Sequence, residues 1–172
     1  MHLDERQRGV AFGMAAGLVI SLVVVCFGSQ LFIHLETPER TSVSLLLPAT
    51  ALFIAVARLA KHRFFTCADI DGSALTVGTD RAKLLQSLLQ NTLEQLALAV
   101  PVYLAALFNT SKSVHAAVPA CACTFLLGRI LFFATYKSGA SARSIGFALT
   151  FYPTVLLLAW QLWLLSSVSQ KY

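Results

Sequence analysis

From Val10 to Ile33 the chain runs through 24 residues without one charged side chain, and from Ser144 to Val168 it does so again over 25. As helices these runs are about 36 Å long, enough to cross a hydrocarbon layer about 30 Å thick. A chain of 172 residues carrying two such runs has few folds open to it, because in hydrocarbon every backbone polar group must be satisfied within its own segment. The expected fold is therefore all-α, an integral membrane helical bundle. Composition agrees, with 57% hydrophobic residues, 12% charged residues and a mean hydropathy of +0.72, far more apolar than a soluble domain of this length.

Three further runs bring the candidate spans to five. Val43 to Ala60 carries only Arg58, and Pro48 interrupts it, so both a full span and a shortened or re-entrant segment fit. Leu84 to Phe108 contains Glu94, and Val114 to Tyr136 contains Arg129. The first run follows Arg6 and Arg8, as a signal peptide would. Its apolar stretch is too long for a signal core and no small-residue cleavage site follows, which marks it as a retained helix.

The basic residues then set an orientation. The N-terminus and the connections at 58–83 and 137–143 hold nine Lys and Arg, the opposite side holds Arg40, Lys112 and Lys171, and Arg129 lies within the membrane. The N-terminus is accordingly expected in the cytoplasm and the C-terminus on the other side. The net charge of +5 fits loops facing anionic lipid, and no basic stripe interleaved with aromatics points to nucleic acid. Three of the four cysteines lie in apolar runs and pack as small hydrophobes, and Cys121 and Cys123 point in different directions on a helix, so no metal site is expected. The long connection KHRFFTCADIDGSALTVGTD reads as turns, without a phosphate-binding or calcium-binding pattern.

The chemistry lies in the polar residues of the apolar runs. Lys83, Gln86, Ser87, Gln90, Asn91, Glu94 and Gln95 recur at three- and four-residue steps and form one stripe on the third helix. Such a stripe is expected to face other helices or a water-filled cavity, because an unpaired amide in lipid costs several kcal/mol and a charge more. Arg129 is the candidate partner on the fourth helix, with Tyr136 seven residues on and Arg143 seven further. Two roles for Arg129 fit equally, an ion pair with Glu94 that joins two helices and an anchor for an anionic ligand. Tyr136 and Arg143 beside it favour an anion-binding site.

These residues resemble the family of membrane-associated proteins in eicosanoid and glutathione metabolism, MAPEG. Its first signature is Arg-x-x-x-Asn-x-x-Glu on one helix, and Asn91 and Glu94 in NTLEQ have that spacing. Its second is an Arg, a Tyr seven residues later and a further Arg leading into the last helix. In GRILFFATYKSGASARS these are Arg129, Tyr136 and Arg143, followed by a Ser144 that some members share. The resemblance implies a homotrimer of four-helix subunits in the lipid bilayer, with glutathione as co-substrate between subunits near the cytoplasmic face. It implies that Arg143 stabilises the thiolate with Ser144 assisting, that Asn91, Glu94, Arg129 and Tyr136 anchor the peptide, and that a hydrophobic small molecule is the acceptor.

The chain also departs from the family. Ser87 stands where the first signature has its arginine, with Lys83 one turn earlier, and Phe132 stands where some members have a second tyrosine. The domain division expected is 1–42, a cytoplasmic stub with an extra transmembrane helix, and 43–172, a MAPEG-like four-helix membrane domain. That extra span resembles the divergent mattrin-like or bacterial branch. Two functions follow: a glutathione transferase or peroxidase acting on hydrophobic electrophiles, and a non-catalytic bundle with a structural, trafficking or lipid-organising role.

Overall fold

The structure is a computed structural model describing residues 4–32, 37–72, 75–109 and 111–169. Among these residues the chain forms five α-helices: α1 (Glu5–Leu31), α2 (Thr37–Phe65), α3 (Asp80–Leu107), α4 (Lys112–Thr135) and α5 (Ala140–Ser169). Single 3₁₀ turns follow α2 at Cys67–Asp69 and α4 at Tyr136–Ser138. Helices α1, α2, α4 and α5 are long and apolar enough to cross a membrane. Helix α3 matches them in length at 28 residues, and its polar stripe keeps it below them in hydropathy.

The second run is neither shortened nor re-entrant. Helix α2 passes through Pro48 without a break over 29 residues, so of the two alternatives left open by the sequence the full-length helix is the one found. A proline removes one backbone donor, and in a helix packed on neighbours the rest of the ladder outlasts that loss. The helices also outrun their apolar runs: α2 continues past Ala60 to Phe65, α3 begins at Asp80 and α5 at Ala140. At the start of α3 the reason is a cap, since the Thr79 hydroxyl accepts from the Ala82 N–H.

Helix α4 is the centre of the bundle and packs against the other four. Ala116, Ala117, Ala120, Cys121, Ala122 and Gly128 are buried along it, and their small side chains let neighbouring backbones come close. One core cluster gathers Tyr103, Val114, Val118, Phe125 and Leu157; a second, at the other end, gathers Leu59, Leu85, Leu88 and Phe132. Helix α1 lies along α5 and α4. It buries Gly13, Gly17, Ser21 and Val25, one residue every four, so that its small-residue edge faces inward while Phe12, Val19 and Phe27 face out.

The connection from α2 to α3 is held by one carboxylate. Asp69, buried, accepts from the Thr79 hydroxyl at 2.7 Å and the Thr79 N–H at 2.8 Å, and lies 2.9 Å from His62 Nε2. The Thr79 hydroxyl is the largest of the influences that hold the Asp69 carboxyl below its ordinary range, followed by the Thr79 N–H, with burial opposing them and His62 adding to them.

Candidate functional site

Helix α4 ends in an aromatic ladder. Residues 129, 132 and 136 follow at three- and four-residue steps and so share one face. The Arg129 guanidinium lies 4.4 Å from the centre of the Phe132 ring, Phe132 meets Tyr136 edge to face at 5.3 Å, and Arg143 lies 4.5 Å from the Tyr136 ring. A cation over an aromatic face is attracted by the ring quadrupole, so the two guanidiniums bracket the two rings. The chain returns on itself through Gly139, whose φ of 100° suits a residue without a side chain, and this reversal brings Arg143 back over Tyr136.

Helices α4 and α5 can meet here because Gly128 and Gly146 face each other. A Cβ on Gly146 would stand 2.6 Å from the Phe132 backbone nitrogen and 2.9 Å from the Gly128 carbonyl oxygen. That close approach puts Thr150 within reach of Arg129. Arg129 is fully buried; its Nη1 donates to Asn91 Oδ1 at 2.7 Å and its Nη2 to Thr150 Oγ1 at 2.6 Å. Its Nε–H finds no acceptor among the described residues.

The ion pair between Arg129 and Glu94 is therefore not the arrangement found. Glu94 is exposed on this chain and accepts from Gln90 Nε2 at 3.0 Å. The polar stripe of α3 divides along its length. Asn91 and Gln95 turn inward, while Lys83, Ser87, Gln90 and Glu94, at steps of four, three and four, form an outward seam. Gln86, half-buried between them, accepts from Arg63 Nη2 at 3.2 Å.

Two cavities meet at Asn91 and Tyr136. The first, about 430 Å³, is walled by Asn91, Tyr136, Arg143 and Ser144 on its polar side and by Val10, Met14, Phe132, Ala140 and Phe147 on its apolar side. The second, about 400 Å³, runs along the outer seam past Gln86, Ser87, Gln90 and Glu94. A third hollow, about 250 Å³, continues past Ser87 to Lys83 and Arg63. Ser144 is buried and donates to the Ser141 carbonyl at 2.7 Å. Of the six residues singled out by sequence, Asn91, Tyr136, Arg143 and Ser144 thus meet at one wall and Glu94 lies in the adjoining groove. Arg129 stands behind that wall and holds Asn91.

Three participants escaped the sequence reading. Thr150 lies two turns after Arg143 on the same face, a spacing that could have drawn notice. Arg63 on α2 reaches Gln86 where α2 packs on α3, a pairing for which no local signal exists. The contribution of α1 was signalled by the four-residue recurrence of Gly9, Gly13, Gly17 and Ser21.

Chemically the first cavity joins a guanidinium, a phenol, an amide and a hydroxyl to an apolar wall. That combination suits a polar anion with an apolar substituent. A family model described as MAPEG family matches residues 41–165. No curated protein and no solved structure matches the chain.

Proposed function

The chain belongs to the MAPEG family, and from that membership we propose that this integral membrane protein binds glutathione, or a thiol of similar chemistry, and transfers it to a hydrophobic electrophile or uses it for reduction. The observation that carries the proposal is the meeting of Asn91, Tyr136, Arg143 and Ser144 at one cavity wall. A guanidinium beside a thiol favours the thiolate, which is the nucleophile, and Arg143 is the cation at that wall. Asn91 and Tyr136 supply hydrogen bonds to the peptide, and Glu94 in the adjoining groove suits its ammonium group. Arg129 acts through Asn91.

The missing guanidinium at Ser87 has a neighbour to supply its charge. Arg63 and Lys83 line the same hollow as Ser87, and both suit a ligand carboxylate. An exposed carboxylate in a membrane helix also calls for cover. The outward seam of Lys83, Ser87, Gln90 and Glu94 is the surface we assign to a second copy of the chain, in the homotrimer that the family resemblance implies. In this reading the N-terminus, the 58–83 connection and the 137–143 connection are assigned to the cytoplasm from their basic residues, the side from which glutathione would arrive.

A non-catalytic role is favoured by one observation. Arg129 is committed to Asn91 and Thr150 inside the bundle, which is the work of a structural residue. Thermal unfolding of the detergent-solubilised chain with glutathione separates the two. Saturation at about a hundred times the dissociation constant stabilises a binding protein by about 2.7 kcal/mol. The thiol reading expects a rise in melting temperature in the wild type and a smaller one in Arg143→Ala. No rise at millimolar glutathione, in the wild type or in Ser87→Arg, leaves the non-catalytic bundle standing.

A further inference from the structure

Helix α1 precedes the region that matches the family model, yet two of its residues, Val10 and Met14, line the cavity that holds Arg143 and Ser144. Its approach is unusually close. A Cβ on Gly13 would stand less than 2 Å from the Ser144 hydroxyl oxygen, and one on Gly9 would collide with Ser141. Backbone therefore lies directly over the hydroxyl at the polar wall, and Met14, the next residue, enters the cavity. On the far side of α1, Phe12 and Val19 are exposed and face lipid. The helix thus stands between the cavity and the bilayer on a flank that α4 and α5 alone would leave open.

We propose that Met14, with Val10, is a specificity-determining residue of the thiol site: α1 closes the lateral route and restricts the group on the sulfur to a compact apolar one. The proposal rests on the thiol-binding reading above. If Arg143 and Ser144 hold the sulfur, whatever is bonded to it extends along Phe132, Phe147 and Met14. A long acyl or polyene chain has no straight path past α1, whereas a short alkyl or a single ring fits the apolar wall. Met is flexible enough to mould to such a group, and a cavity wall discriminates by methylenes, each worth roughly tenfold or more in a fitted pocket.

The probes are glutathione and its S-methyl, S-hexyl and S-decyl derivatives, whose binding to the purified full chain is read by thermal shift without any need for turnover. The wild type is expected to bind S-methylglutathione at least about tenfold more tightly than the S-decyl derivative. Met14→Ala should raise the ratio of S-hexyl to S-methyl affinity by about tenfold, and Met14→Phe should lower it. Glutathione binding with the same chain-length profile in all three proteins overturns the wall while leaving the thiol site in place. So does S-decyl binding as tight as S-methyl in the wild type. No shift with glutathione or with any derivative overturns both.

Discussion

Arg129 donates to Asn91 at 2.7 Å across the interface of α4 and α3, joining residues 38 apart in sequence. The bond turns one member of the α3 polar stripe inward and fixes its amide at the junction of two cavities. Because Thr150 takes the other end of the fork, three helices are joined by one side chain.

Truncating that side chain should therefore cost more than its size suggests. Arg129→Ala leaves buried Thr150 without its donor and frees Asn91 at the cavity wall, and a loss of about 2–4 kcal/mol is expected. Arg129→Lys should recover little of it, because an ammonium cannot fork to both partners. Thermal unfolding in detergent measures both, and a lysine variant as stable as the wild type would show that the fork is unimportant.

The contact between Gly146 and α4 makes a second expectation. Adding one methyl in Gly146→Ala pushes on the Phe132 backbone, which cannot move as a side-chain tip would. A cost of about 1–3 kcal/mol is expected, as for other overpacked interiors. Since the same approach puts Thr150 beside Arg129, the proposed glutathione binding should weaken together with stability. Calorimetry on the variant, or its melting curve with and without glutathione, gives both numbers.

Acid should loosen the α2–α3 connection. The folded Asp69 carboxyl titrates below its unfolded value, so the stability it contributes is whole above about pH 4 and is lost as pH falls through the folded value. The difference in melting temperature between wild type and Asp69→Asn should be largest near neutrality and shrink below about pH 4. A difference that stays constant down to pH 3 refutes the assignment.

Cysteine labelling can fix the orientation. Cys67 is exposed in the 3₁₀ turn outside the helices, Cys121 is buried and Cys123 half-buried in the middle of α4, and Cys26 is exposed on α1 within its uncharged run, where lipid is expected to cover it. A membrane-impermeant maleimide should thus label the chain in inside-out vesicles and spare it in right-side-out vesicles. Labelling at Cys67 from the outside reverses the assigned topology.

The fold class was readable from the uncharged runs alone, since their length against the thickness of hydrocarbon leaves little choice. The site was readable in its parts and less so in its partnerships. Asn91 and Glu94 are three residues apart and stand about 60° apart around a helix, so a modest rotation of α3 decides which of them meets Arg129. Hydropathy sets depth in a membrane and does not set rotation. Pro48 left the length of α2 open for a related reason: a proline lowers local helix propensity, and packing of α2 on α4 and α3 prevails over it. The glycine recurrence of α1 passed unread, and nothing local says that the surface it approaches is α5.

That pairing joins two helices separated in sequence by three others. Helix α1 can meet α5, its main partner, only after the three helices between them have been made, so its edge at Gly13 and Gly17 gains its final neighbour later than the part at Gly28, which packs on Ala120 of α4. The seating of Gly13 on Ser144 then follows α5 into place, and without α5 that part of α1 has no surface to seat on.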